Sequence, residues 1–303
     1  MDLLLLGVVL MWGAHFAVVK QALSVVSPMA FSVVRFAIAS ACLFALTIRR
    51  EGTARIDRSD WSSVLLLGAI GAANQMFWMY GLRLTTSGKS ALLVAVSPVF
   101  AALIRLAGGE RVGAKAALGM LLAFSGVALI VRPGSLATGG SELLGDLLTL
   151  GAALAWGLYA VAGPRVLKRY SATRITAYVF AVTALAAAGP GLGAAVQTPW
   201  ASLPTSAWWQ LAYSTFLAGA LSWVLWYQGV SQLGPLRVML YQYMVPVIAL
   251  AVSVLWLGEP FVVAQGGGAL LVLLGTLIAR LGLPGQAPQP SPEAEATAAA
   301  REA

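Results

Sequence analysis

The chain has 303 residues, 59% of them hydrophobic and only 10% charged, with a formal net charge of +8. A soluble domain of this composition would carry more apolar surface than it could bury, so the solvent that fits is a lipid bilayer. The basic excess does not point to nucleic acid, because the basic residues sort by membrane side, and the single cysteine, Cys42, excludes an intramolecular disulfide.

A hydrocarbon core of roughly 30 Å asks for about 20 apolar residues per helix. Such stretches recur ten times, at 3–23, 29–48, 61–82, 90–107, 116–131, 145–163, 173–195, 207–230, 236–257 and 263–282. The expected fold class is all-α integral membrane, with ten transmembrane helices. The first span, containing "LMWGAHFAVVK", starts after Met1 and Asp2 without a basic leader region and reads as a retained helix rather than a cleaved signal peptide. It carries Trp12 and His15, three residues apart and so on one helix face. The second span, "SPMAFSVVRFAIA" and onward, holds Arg35 and Cys42, the latter read as a small packing residue. The loop "RREGTARIDRSD" has no room for a soluble domain.

The third span contains the only asparagine of the chain, Asn74, four residues before Trp78. The following "SGKS" departs from a phosphate loop, with six residues rather than four between Gly81 and Gly88, and reads as a turn. Pro98 lies in the fourth span, Trp156 and Tyr159 in the sixth ("LAWGLYAVAGP"), and Tyr241 and Gln242 shortly before Pro246 in the ninth. A proline inside a span frees a carbonyl and kinks or loosens the helix, so Pro98 and Pro246 are candidate hinges; static kinks are the alternative. Residues 284–303, rich in Pro and Ala, read as a disordered cytoplasmic tail.

Ten spans put both termini on one side. That side collects Arg49, Arg50, Arg55, Arg58, Arg105, Arg111, Lys115, Arg165, Lys168, Arg169, Arg174, Arg237, Arg280 and Arg301, against Lys20, Arg83, Lys89 and Arg132 opposite. The positive-inside rule then places both termini in the cytoplasm, in a bacterial inner membrane.

The chain also repeats itself. "LMWGAHFAVV" matches "LAWGLYAVAG" at an offset of 144 residues, and Trp78, Gly81, Lys89 and Pro98 match Trp226, Gly229, Arg237 and Pro246 at 148. Gly109, Glu110, Gly119 and Gly126 match Gly258, Glu259, Gly268 and Gly275 at 149. Two homologous halves of five spans each must enter the membrane from opposite sides, because five is odd. The expected organisation is a first repeat over 1–140 and an inverted second over 141–283, an arrangement typical of secondary transporters with a midplane site.

These features together, the Trp-Gly near the start of each half, "SPMAFSVVRFAIA", "SPVFAAL" with its "GGE", "VPVIALAVSVLWLGEP" and the Gly-x6-Gly fifth and tenth spans, resemble the drug/metabolite transporter superfamily. Within it the chain looks like the EamA-type exporters, and its aromatic-rich helices look most like those that export aromatic amino acids. The resemblance spans residues 3 to 282. The halves differ at one place that matters: Arg35 has no basic counterpart in "TRITAYVFAVTAL".

Polar and aromatic residues inside spans are the candidates for holding substrate. They are Trp12, His15, Arg35, Asn74, Trp78, Trp156, Tyr159, Tyr241 and Gln242. Five of them have a plainer reading: Asn74 as a bond to a neighbouring helix, His15 as a neutral hydrogen-bonded group, Arg35 as a side chain snorkelling to the interface, Trp12 and Trp156 as packing residues of the repeat. Trp61, Trp200, Trp208, Trp209 and Trp256 fit interface anchors. One histidine and no acidic residue near the midplane leave neither a metal cluster nor a Ser-His-Asp set, so no enzyme and no cofactor is expected. The expected partners are a small-molecule substrate and the bilayer, with no nucleic acid, and the sequence does not set the oligomeric state. The function expected is export of small metabolites, aromatic or large apolar amino acids foremost, by a facilitator. The alternatives are another metabolite or drug, a proton-coupled antiporter using His15, and a passive channel.

Overall fold

A computed structural model describes residues 1–109, 113–131, 140–167, 169–233 and 241–281. Among these residues twelve α-helices follow in chain order, and every described element of regular structure is helical. They are α1 (Asp2–Ala22), α2 (Pro28–Glu51), α3 (Trp61–Leu84), α4 (Ser87–Val94), α5 (Ser97–Ala107), α6 (Ala114–Val131), α7 (Ser141–Leu167), α8 (Ala172–Gln197), α9 (Thr205–Ala212), α10 (Ser222–Leu233), α11 (Met244–Leu257) and α12 (Val263–Leu281), with a π-helical segment over Tyr213–Leu221 joining α9 to α10. Six helical stretches are long and apolar enough to cross a bilayer alone, and α6, α11 and α12 are shorter apolar helices. With the α9–π–α10 rod these make the ten spans of an integral membrane protein. The tail at 284–303 and the segment with Arg237, where the ninth span begins, lie outside the described residues.

Polarity runs inside-out, as a bilayer demands. Leu3, Leu185, Val196, Leu255 and Val263 point outward, while His15, Arg35, Asn74, Lys89, Asp146 and Gln210 are buried. Cys42 is exposed on α2, which corrects its reading as a packing residue. The fourth span is two helices, because the chain turns at Ala95–Val96 and Pro98 lies in the first turn of α5. The "SGKS" stretch is helical and not a turn. Thr86 caps α4 by accepting from the Lys89 amide, and the Glu259 carboxylate accepts from the Ser87 and Gly88 amides at 2.9 and 3.2 Å. A carboxylate at a helix N-terminus answers both its unpaired amides and its dipole.

The pairing of helices is repeated under exchange of the halves, though not to the same extent. Helix α2 packs on its mate α8, and α6 on its mate α12; the α3–α7 contact is mirrored by α10 and the π segment on α1, and α1–α11 by α7 on α4 and α5. The duplicated Trp-Gly explains one of these pairs. A Cβ on Gly13 would stand 2.5 Å from Ile248 Cγ2 of α11, and one on Gly157 2.9 Å from the Ala101 amide of α5, so each glycine admits its mirror-related neighbour. Equivalent serines also start equivalent helices: Ser27 accepts from the Ala30 amide and Ser171 from the Arg174 amide.

Candidate functional site

The π segment opens the eighth span where the halves meet. Its wider winding leaves carbonyls without the usual α-helical partner, and the Trp12 indole N–H supplies one, donating to Ala218 O at 3.1 Å as well as to Ser222 Oγ at 2.8 Å. One turn further along α1, His15 Nε2 lies 2.7 Å from Ser214 Oγ, also in the π segment. Arg35 joins them from α2, donating through Nη1 to Ser214 Oγ at 3.0 Å, and through Nη2 to Gln75 Oε1 at 3.2 Å. Its Nη1 is also 3.4 Å from His15 Nε2. A guanidinium only donates, so Nε2 is the acceptor nitrogen of His15, the Ser214 hydroxyl donates to it, and the ring proton belongs on Nδ1. The chain continues through Gln75 Nε2, which donates to Asn74 Oδ1 at 3.0 Å, and Asn74 Nδ2, which donates to Ala152 O of α7 at 2.8 Å.

Trp78 closes this cluster from above. Its ring lies 5.3 Å from that of His15 and 5.4 Å edge-on from that of Phe16, yet its Nε1 is buried with no hydrogen-bond partner among the described residues.

Beside Gln75 a narrow crevice of about 20 Å3 runs between the halves. It is lined by Asn74, Gln75, Trp156, Tyr159, Thr176, Val179, Phe180 and Trp223, among others. Trp156 and Tyr159 stack with centroids 5.4 Å apart, and Trp223 meets Trp156 edge-on at 5.7 Å. Small-molecule sites run to about 300–1,000 Å3, so the crevice as it stands is far smaller than such a site.

The internal repeat relates the polar cluster to the crevice. At an offset of 144, Trp12, His15 and Arg35 correspond to Trp156, Tyr159 and Val179; at 148, Asn74, Gln75 and Trp78 correspond to Ser222, Trp223 and Trp226. The polar cluster of Trp12, His15 and Arg35 and the stacked Trp156 and Tyr159 are therefore related by the pseudo-two-fold axis of the repeat, cationic and hydrogen-bonding in the first half and aromatic in the second.

Of the residues singled out from sequence, the structure gathers Trp12, His15, Arg35, Asn74, Trp78, Trp156 and Tyr159 around this axis. It holds the Tyr241 hydroxyl elsewhere. The Tyr241 hydroxyl donates to Asp2 Oδ1 at 2.7 Å, at the start of α1. Pro246 sits in the first turns of α11, matching Pro98 in α5. Sequence reasoning missed Gln75, Ser214 and Trp223. Gln75 and Trp223 carried a signal, being repeat mates next to Asn74 and Ser222 in mid-span; Ser214 carried none, since its role comes from the π winding.

Each membrane face has its own polar cluster. At the end holding the α2–α3 and α7–α8 connections, Arg169 pairs with Asp57 at 3.0 Å and Asp60 at 2.7 Å, and Arg174 with Glu51 at 2.6 Å. The Tyr170 hydroxyl donates to Asp60, whose carboxylate holds the phenol above its ordinary pKa. At the opposite end Lys89 pairs with Asp146 and Glu142, and Lys20 donates to the carbonyls of Leu82, Arg83 and Thr85 that end α3.

Comparison with known proteins gives this geometry its context. An uncharacterized transporter, YyaM of Bacillus subtilis, is 29% identical over 91% of this chain and 92% of its own. A probable terminal-alkyne amino-acid exporter of Streptantibioticus cattleyicolor is 30% identical over 86% of this chain and 87% of its own. A solved crystal structure, 20% identical, superposes with a TM-score of 0.62 over 92% of this chain and 96% of that one, and shares the fold. The profile described as the EamA-like transporter family matches twice, over residues 1–132 and 143–281, so that nearly all of the described chain is covered. The chain belongs to the EamA-like transporter family, within the drug/metabolite transporter superfamily.

Proposed function

We propose that this chain is a bacterial inner-membrane exporter of small amphipathic metabolites, foremost aromatic or large apolar amino acids, working as a facilitator by alternating access. The observation that carries the reading is the aromatic crevice between the halves, continuous through Gln75 with Arg35. The relative named as an amino-acid exporter supports the substrate class. The repeats 1–140 and 141–283 rock about the shared axis, with Pro98 and Pro246 at the matched helix starts as hinges, and the crevice opens to each side in turn. A proton relay would need an intramembrane group that changes charge. His15 is engaged by Ser214 and faces Arg35, where a second ring proton would set two cations side by side.

Purified protein in liposomes should exchange labelled phenylalanine and tryptophan with saturation and counterflow. Trp156→Ala should weaken apparent affinity by about 2- to 10-fold from lost stacking alone, and Trp78→Ala should weaken it as well. Unchanged transport in both variants would remove the site from the path. With equal substrate on both sides, an imposed pH gradient should drive no accumulation; accumulation that disappears in His15→Gln would establish coupling instead.

The same reading puts both termini in the cytoplasm. Cysteines introduced at Thr53 and Ser202, both exposed, should react with an impermeant reagent from opposite sides. Labelling from one side only would overturn the inverted arrangement.

A further inference from the structure

Arg35 is 95% buried, as its side chain and backbone together retain 5% exposure, and its partners Ser214, Gln75 and His15 are all neutral. A buried cation is ordinarily paired, because removing a charge from water without a counter-charge is expensive. Among the described residues no acid is placed to do this. Helices α3 and α8, and the α9–π–α10 rod, contain no Asp or Glu. On α2 the only acid is Glu51, sixteen residues or about 24 Å along the helix, and it is engaged by Arg174. Asp2 of α1 is held by Tyr241, and Glu142 and Asp146 of α7 by Lys89.

A second group in the same cluster is also incomplete. Trp78 Nε1 is a buried donor with no acceptor among the described residues, and Trp78 and Arg35 both touch His15. A cation without a counter-charge and an N–H donor without an acceptor, both against His15, ask for one anionic acceptor. The crevice lining, by contrast, offers no carboxylate to an ammonium group. Its aromatic faces attract cations, but Arg35 stands one side chain away, behind Gln75, and repels them.

We infer that the buried cluster around Arg35 and Trp78 is a carboxylate-binding subsite, that the substrate lies across the pseudo-two-fold axis with its carboxylate there and its apolar group among Trp156, Tyr159 and Trp223, and that the site prefers monoanionic carboxylates to zwitterions. This rests on the transport reading above and makes it more specific. The repeat accounts for the polarity. Val179 stands where a second arginine would make the ends alike, so one end of the site binds charge and the other excludes it. Free amino acids are accepted through their carboxylate, while their ammonium group finds no anionic partner.

The test uses three compounds with one ring and chain: 3-phenylpropionate, phenylalanine and phenethylamine. As competitors of phenylalanine exchange in liposomes, they should rank in that order, 3-phenylpropionate at least tenfold tighter than phenylalanine and phenethylamine weakest. Arg35→Gln should compress the three to within about threefold, and Arg35→Lys should keep the order. Trp78→Phe, which keeps the ring and removes the N–H, should weaken 3-phenylpropionate by several-fold and phenethylamine not at all. Thermal melting of the purified protein with each compound gives the ranking without any transport. A protein that 3-phenylpropionate stabilises but that moves nothing would sink the exporter reading and keep the subsite. A protein that exchanges phenylalanine but binds phenethylamine as well as 3-phenylpropionate, by competition or melting, would sink the subsite and keep the exporter. An Arg35→Gln protein that melts like the parent yet retains the full ranking would also overturn it.

Discussion

Lys89→Ala should destabilise the protein by about 3–5 kcal/mol, the range for removing one partner of a buried ion pair. Lys89 Nζ lies 2.5 Å from Asp146 Oδ2 and 3.1 Å from Glu142 Oε1, and the Lys89 and Asp146 side chains keep only 2% and 1% of their exposure. Thr85 Oγ1 donates to the other Asp146 oxygen at 2.6 Å. Without the ammonium group Asp146 remains as a buried charge held by one hydroxyl. The pair also fastens the turn between α3 and α4 to the start of α7, so its loss loosens three elements together. The double variant Lys89→Met/Asp146→Leu should recover most of the loss, because two desolvation penalties disappear with the attraction. Denaturant melts of the single and double variants in one detergent decide the matter: if Lys89→Ala unfolds with the parent, or the double variant is as weak as the sum of the singles, the pair does not hold this end of the molecule.

The same lysine shows what a sequence can and cannot disclose. As one of four basic residues opposite fourteen, Lys89 reads as a loop charge marking a membrane side. The structure buries it, because its partners lie more than fifty residues away in sequence, on a helix whose packing no local pattern encodes. Spans are legible because the bilayer imposes one length and one polarity on all of them: the first is expected at 3–23 and found at Asp2–Ala22. Breaks within spans are less legible. Hydropathy is blind to the turn at Ala95–Val96 and to the π winding of Tyr213–Leu221, since neither changes the apolar character of the stretch.

The candidate site was legible to the extent that it is duplicated. Trp12 and Trp156 announce each other across the repeat, and Arg35 stands out because its mate is Val179. The order of contacts from His15 through Ser214, Arg35 and Gln75 to Asn74 required four helical elements to be set against one another. Tyr241 was drawn toward the site by its aromatic character, whereas in the fold that character serves a hydrogen bond to Asp2 at one end of the molecule.

Gly126→Ala should lower stability even though alanine favours a helix interior by about 1 kcal/mol over glycine. The conflict between propensity and packing makes the substitution informative. Helices α6 and α12 meet through four glycines related by the repeat, Gly119 and Gly126 against Gly268 and Gly275. A Cβ on Gly126 would stand 2.5 Å from Gly268 O and 2.7 Å from the Val272 amide, and one on Gly119 would run into the Ala279 amide. The obstacles are backbone, which cannot rotate aside as a side chain would. In a bilayer the attraction between two apolar helices comes from such close contact, because lipid tails satisfy apolar surface equally well. Forcing the axes apart therefore removes the interaction along the whole contact, and an overpacking loss of about 1–3 kcal/mol should outweigh the helix-propensity gain. Gly193→Ala on α8, where a Cβ meets nothing within 4 Å, is the matched control and should melt at or above the parent temperature. Gly126→Val should be worse than Gly126→Ala, and Gly275→Val, its mate, should match Gly126→Val. If Gly126→Ala instead melts with Gly193→Ala, propensity governs both positions, and α6 and α12 do not approach each other through their glycines.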